Sequence, residues 1–379
     1  MNTLQTVLDQ SVAAQEVPFV VGMVGTPDGI AFSGAAGMAS QGRAAAEDTA
    51  FRIFSMTKAI GSLAAMILID RGKLSLDTPV ADVLPEWNDL QVLEGFDGDT
   101  PILRAPKTVA TLRHLATHTS GMEYEFWNPD VPKYMELTEH PTVLSGLKSS
   151  LNYPLTSDPG TRWGYGPSID WLGRMVEAVD GRRIDAFCQA EILDPLGMTD
   201  TAFEPDALAD RLAEVRMRNA DGGFDPFTLA PPSQPEFYGM GHALYSTAPD
   251  YMRFLRMLLN GGELDGNRLL SADAFAQLMA DQMNGLTFQN MKSVAPAVSA
   301  DVELPPGTTH SFAFCRSETD VPGKRSAGSV SWAGVCNTHY WCDPARNVAA
   351  VIMTQSLPFV EPGLLAAYDA YERAVYDAL

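Results

Sequence analysis

Two places in the chain set a serine three residues ahead of a lysine: Ser55-Met56-Thr57-Lys58 and Ser145-Gly146-Leu147-Lys148. That spacing puts both side chains on one face of a helix. A serine hydroxyl is a weak nucleophile until a base takes its proton. A lysine can be that base where burial disfavours its charged form. The chemistry within reach of such a pair is attack on a carbonyl carbon. Context separates the two copies. Lys58 runs on into Ala59-Ile60-Gly61-Ser62-Leu63-Ala64-Ala65-Met66-Ile67-Leu68-Ile69, which is apolar almost all round and predicts a buried helix. A lysine at the root of such a helix is costly without a task or a partner. The Ser145 copy lies in a short polar segment followed by Ser149 and Ser150 and reads as an exposed helix end. Alone, Ser55 could equally be a helix cap and Lys58 a snorkelling side chain.

Two further stretches could complete a site. Gly164-Tyr165-Gly166-Pro167-Ser168 places a tyrosine at a loop-to-helix junction, where it can point into a cleft. Gly328-Ser329-Val330-Ser331-Trp332-Ala333-Gly334-Val335 reads as a strand ending in small residues. A glycine there lets substrate approach the backbone, and a backbone N–H can complete an oxyanion hole. Read singly, the first is a packing tyrosine and the second a strand with a glycine bulge. The chain has no Gly-x-Ser-x-Gly elbow. It also lacks His-Glu-x-x-His, Gly-x-Gly-x-x-Gly and Walker motifs, so no metal site and no cofactor is expected. His118 and His242 read as structural residues in helix-end punctuation. Cys188, Cys315, Cys336 and Cys342 have no Cys-x-x-Cys spacing; Cys336 and Cys342 are expected to be buried thiols.

The elements that must position these residues form a discontinuous pattern. Leu4–Ala14 predicts a helix, and Phe19–Val24 with Ile30–Ala35 a β-hairpin turning at Pro27-Asp28-Gly29. Ala50–Ile53 predicts a short strand leading to Ser55. Helices are expected over 108–117, 165–180, 185–193 and 206–213, with no strand series in that region. Asp221–Pro235 reads as a long loop. Later come a helix capped near Thr247, a helix over 272–280, and strands over 312–315, 328–332, 336–342 and 348–354. A closing helix spans 363–379. The simplest packing joins residues 1–75 and 236–379 into one domain, an antiparallel sheet covered by helices, with 76–235 as an all-helical insert and the site between them.

Composition bounds the function. The 379 residues are 46% hydrophobic, enough for a large core. A net charge of −21 argues against nucleic acid or an anionic membrane as partner. No apolar run is long enough to span a bilayer, and no signal-peptide pattern opens the chain. With reduced thiols as the default, a cytoplasmic protein is expected.

Taken together, the three pieces resemble the serine β-lactamase and penicillin-binding-protein superfamily, and most closely its class C-like family VIII carboxylesterases. The resemblance includes Phe51-Arg52-Ile53, Gly72–Val80, Leu115–Gly121, Ile192–Met198 and Leu258–Gly262. It implies an α+β, β-lactamase-like fold, with Ser55 as nucleophile, Lys58 as the motif lysine and Tyr165 as catalytic tyrosine. Trp332-Ala333-Gly334 stands where lactamases carry Lys-Thr-Gly, and Pro167 replaces the asparagine of Tyr-x-Asn. Both departures point away from β-lactams. The expected function is hydrolysis of a small-molecule, short-chain carboxylic ester through an acyl-enzyme. A β-lactamase, a D-amino-acid peptidase or amidase, acyl transfer to an alcohol and a non-catalytic binding role are the alternatives. The N–H groups of Ser55 and Val335 are expected to hold the oxyanion. Trp332, Ala333 and Gly334, with Tyr124, Phe126, Trp127, Phe237 and Tyr238, are expected to form the substrate pocket.

Overall fold

The computed structural model describes residues 2–379. The N-terminal part folds as α1 (Asn2–Ala13), β1 (Phe19–Gly25), β2 (Ile30–Ser40) and β3 (Arg43–Ala44). The long helices that follow are α2 (Thr57–Asp70), α3 (Ser168–Asp180) and α4 (Ala248–Leu259). The last part supplies β4 (Thr308–His310), β5 (Cys315–Ser317), β6 (Val330–Gly334), β7 (Thr338–Asp343), β8 (Val348–Met353) and α5 (Pro362–Asp377). All eight strands form one antiparallel sheet in the order β4-β5-β6-β7-β8-β1-β2-β3. The two chain ends meet where β1 pairs with β8, Val21 opposite Met353.

Strands β1 and β8 are buried at every position, as their near-continuous Val, Ala, Ile and Met content requires of strands covered on both faces. Alternation of side chains then creates two cores. Val21, Met23, Tyr340, Val351 and Met353 join α2 and α4 in the larger one. Val20, Val24, Trp341, Ala350 and Ile352 pack with α1 and α5 on the opposite face. Helix α2 is buried from Thr57 through Leu68, as its unbroken apolar sequence predicts.

The expectation of strand-free sequence between 76 and 235 is not met. Val92–Asp97 pairs with Thr100–Arg104, and Val215–Arg218 with Phe224–Phe227. The second hairpin adds Ser356–Leu357 in parallel, so it ties the middle of the chain to its end. Both hairpins are largely exposed along one strand and lack the alternation that marks a half-buried strand. The helix expected from Thr108 begins at Leu112, because Thr108 Oγ1 donates to the Pro159 carbonyl and Thr111 takes the cap. Helix α3 likewise starts at Ser168, which leaves Tyr165 in the preceding loop.

Candidate active site

Ser55 occupies a single 3-10 turn, Phe54–Met56, just ahead of α2. Phe54 adopts φ 39°, a conformation unfavourable for a bulky residue. Its side chain is buried against Val215, Cys336 and Leu357, which holds the turn in place. Lys58 follows in the first turn of α2 and is 2% exposed. Its Nζ lies 3.0 Å from Ser55 Oγ, 3.1 Å from Tyr124 Oη and 2.8 Å from the Gly241 carbonyl oxygen. An ammonium has three donors, and all three are used. A neutral amine is equally satisfied: two N–H groups serve Gly241 and Tyr124, and the lone pair accepts from Ser55.

Tyr124 and Tyr165 lie on adjoining backbone segments, the Tyr124 N–H donating to the Tyr165 carbonyl at 3.0 Å. A Cβ on Gly166 would fall 2.4 Å from the Met122 carbonyl oxygen, so only glycine permits this approach. The two rings meet edge to face at 5.3 Å, and Lys58 Nζ is 4.9 Å from the Tyr165 ring centre. Tyr124 was expected in the substrate pocket. Its hydroxyl is instead directed at Lys58, and the ring is buried behind the cleft. Burial foremost, with the Asp170 charge second, holds its phenol well above the ordinary range, so it stays protonated.

Behind Lys58 lies a buried carboxylate that the sequence reading overlooked. Asp170, in the first turn of α3, accepts the Gly241 N–H at 2.7 Å. The Gly239–His242 turn wraps this carboxylate closely: a Cβ on Gly239 would be 2.7 Å from Asp170 Oδ1, and one on Gly241 2.9 Å from both oxygens. Asp170 thereby anchors Gly241, whose carbonyl, in the next peptide unit, receives Lys58. His242 Nδ1 lies 3.8 Å from Asp170 Oδ1, and burial lowers its imidazole below the usual range. The signal available in the sequence was an aspartate five residues after Tyr165, set among Ile169, Trp171 and Leu172.

Strand β6 closes the site. Trp332 Nε1 donates to Tyr165 Oη at 3.3 Å. His118, expected as punctuation, packs its ring 4.9 Å from Tyr165 and stacks on Trp332 at 6.2 Å. His310 backs the same cluster, 5.6 Å from Trp332. Burial holds both imidazoles down, His310 to about 4, so they are neutral packing groups. Gly334 does not line the cleft as expected. A Cβ there would be 2.3 Å from the Ile53 carbonyl oxygen, so its role is to let β6 press against the Ser55 turn. Among the described residues, neither the Ser55 nor the Val335 N–H is taken by a turn or loop acceptor.

Trp332, Ala333, Phe126 and Trp127, expected in the substrate pocket, line a cleft together with Ser55 and Val335. Tyr238 does not: its hydroxyl donates to Glu204 at 2.6 Å, and Arg183 covers its ring. Phe237 is buried away from the lining. Ser145 and Lys148 are exposed and fall in separate turns divided by a left-handed Gly146, so the second Ser-x-x-Lys forms no pair. Cys336 and Cys342 are buried free thiols. Among the described residues no helix is long and apolar enough to cross a membrane, and no cluster of His, Cys, Asp or Glu is arranged to hold a metal ion.

The sequence model of the family described as Beta-lactamase matches residues 4–374. The ML-236A carboxylate methylbutanoyltransferase of Penicillium citrinum is 30% identical over 344 residues, covering 87% of this chain and 81% of the relative. The lovastatin esterase of Penicillium rubens is 29% identical over 335 residues, covering 84% and 82%. A LovD6 mutant of simvastatin synthase from Aspergillus terreus superposes with a TM-score of 0.84 at 25% identity, covering 99% of this chain and 94% of the other. With a buried Ser-x-x-Lys pair beside the edge of an antiparallel sheet, and with this family match along nearly its whole length, the chain belongs to the β-lactamase family.

Proposed function

We propose that the protein is a serine carboxylesterase that forms an acyl-enzyme on Ser55. The observation that carries this reading is the 3.0 Å contact between Lys58 Nζ and Ser55 Oγ inside a buried shell that satisfies either protonation state of the lysine. Ser55 Oγ attacks the ester carbonyl and its proton passes to the Lys58–Tyr165 pair, which acts as one coupled relay. The N–H groups of Ser55 and Val335 stabilise the oxyanion. The relay returns the proton to the departing alkoxide, which leaves as the alcohol. Water then loses a proton to the same relay, attacks the acyl carbon and releases the acid.

Acyl transfer is the second reading. In it an alcohol replaces water in the last step and a new ester is released. It is favoured by relatives named as acyltransferases alongside one named as an esterase. β-Lactam hydrolysis fits less well. Pro167, just ahead of α3, has no side-chain amide, and Tyr124 and Gly241 make the contacts to Lys58. Trp332 supplies no cation for a β-lactam carboxylate.

Hydrolysis of p-nitrophenyl butyrate by Ser55→Ala tests the assignment. Activity at background is expected, and surviving turnover would rule out Ser55. Rising methanol should divert acid into methyl ester if an alcohol can take the acyl group; product that stays entirely acid would exclude transfer.

A further inference from the structure

The cleft at Ser55 does not end at the catalytic face of the sheet. It has a volume of about 360 Å³ and reaches from Ser55 and Tyr165 to His339 and Tyr368. Side-chain alternation along β6 divides it. Trp332 lies opposite Tyr340 and points with it into the larger core, the face that holds Lys58 and Tyr165. Ala333 lies opposite His339, and His339 lies opposite Ile352 on β8, which faces α5. The passage between the two faces exists because β5 pairs with β6 only at Val330 and Ser331. The outer edge of β6 from Trp332 to Gly334 is open.

The far arm has a defined chemistry. Phe359 stacks on His339 at 5.7 Å with an interplanar angle of 8°, and Tyr368 of α5 lies 5.1 Å away. Beyond them Arg325 Nε meets Glu372 at 2.7 Å and closes the arm with a paired charge. His339 is only 8% exposed, yet its Nε2 has no hydrogen-bond partner among the described residues. Leaving a buried polar atom unpaired is unfavourable unless a bound group satisfies it. Burial first, and the nearby Arg325 charge second, lower this imidazole to about 3. The ring is neutral at physiological pH and can donate or accept at Nε2.

The position of the relay decides which half of a substrate enters. The leaving oxygen must face Tyr165 and Lys58, on the Trp332 side. The substituent on the other side of the carbonyl carbon is then directed across the open edge of β6. We propose that this arm takes the acyl chain, and that the chain is of medium length and carries a hydroxyl or keto oxygen that pairs with His339 Nε2. The inference rests on Ser55 being the acylated residue, and it sharpens the short-chain expectation, because a cleft of this size matches ligands larger than a butyrate.

The test uses p-nitrophenyl hexanoate, compared with the same chain bearing a keto oxygen at carbon 4 or 5, and p-nitrophenyl octanoate, compared with the same chain bearing one at carbon 4, 5, 6 or 7. Keto probes are chosen because activated hydroxy esters cyclise. One keto position should raise kcat/KM roughly tenfold over the unsubstituted chain, the order expected for one buried hydrogen bond. His339→Leu should erase that ratio. Ala333→Leu, which narrows the crossing, should move the chain-length optimum down towards acetate. No preference at any keto position, a ratio that survives His339→Leu in folded protein, or a length optimum unmoved by Ala333→Leu would each overturn the arm. Mass spectrometry of protein quenched with p-nitrophenyl acetate separates the two levels. An acetyl group on Ser55 with no keto preference sinks the arm alone, whereas no adduct on Ser55 overturns the acyl-enzyme and the arm with it.

Discussion

The indole N–H of Trp332 donates to the hydroxyl of Tyr165 at 3.3 Å, across the gap between a sheet strand and a loop 167 residues away in sequence. The residue standing where lactamases carry a cation therefore contacts the tyrosine of the proposed relay. Trp332→Phe keeps an aromatic ring against His118 and removes only the donor. We expect kcat for p-nitrophenyl butyrate to fall about tenfold, the effect of one hydrogen bond of about 1–1.5 kcal/mol, with a smaller change in KM. Equal kcat in the variant would show that the contact has no part in turnover.

Asp170 acts on Lys58 through the backbone of Gly241, accepting its N–H while its carbonyl takes Lys58. Asp170→Ala leaves the Gly241 N–H without its acceptor and should cost about 1–3 kcal/mol in stability. It should also lower kcat/KM, since the Gly241 carbonyl is no longer held towards Lys58. Asp170→Asn retains an acceptor oxygen and should recover most of the activity. If Asn proves as poor as Ala in paired melts and esterase assays, the charge rather than the hydrogen bond is what matters.

Gly334→Ala tests the seam between β6 and the nucleophile turn. The added methyl meets a backbone oxygen that cannot rotate away. A loss of about 1–3 kcal/mol, as for overpacking a filled core, is expected together with loss of activity. A variant that melts like the parent and stays active would mean that β6 and the Ser55 turn are not tightly coupled.

All six histidines are held below the ordinary imidazole range by burial. The unfolded chain binds these protons more readily than the folded one. Stability is therefore full above about pH 6.5 and declines as pH falls towards the folded values, about 4 for His310 and about 3 for His339. His310 alone represents on the order of 3 kcal/mol at 1.36 kcal/mol per unit. Asp250 and Glu125 oppose this, because burial raises both carboxyls, that of Asp250 to about 6, but they are two groups against six. Urea midpoints measured from pH 7.5 to 4.5 should fall steadily; a flat profile would contradict it.

Replacing Tyr165 by Phe should reduce turnover by at least about a hundredfold, the scale of a lost acid–base group, with little change in melting temperature. The measurement is kcat/KM beside a thermal melt. An unchanged rate would remove Tyr165 from the relay and leave Lys58 as sole base.

What the sequence by itself determined is what depends on short spacing and on periodicity. Ser55 and Lys58 are three residues apart, and α2 is apolar on every face, so the pair and its burial could be read together. The strands β1, β6, β7 and β8 declared themselves by their apolar content, and the family motifs placed Tyr165 and Trp332. The tertiary structure decided what surrounds the lysine. Tyr124 and Gly241 reach Nζ from 66 and 183 residues away, and Asp170 reaches Gly241 across 71. Contacts over such separations leave no period in the chain, so Tyr124 read as a pocket wall and Asp170 went unnoticed. Gly334 was legible as a place of close approach, but whether substrate or the Ile53 carbonyl approached it depended on how two strands meet. The crossing to His339 was likewise invisible, because it is created by where β5 stops pairing with β6, a property of register and not of residue type.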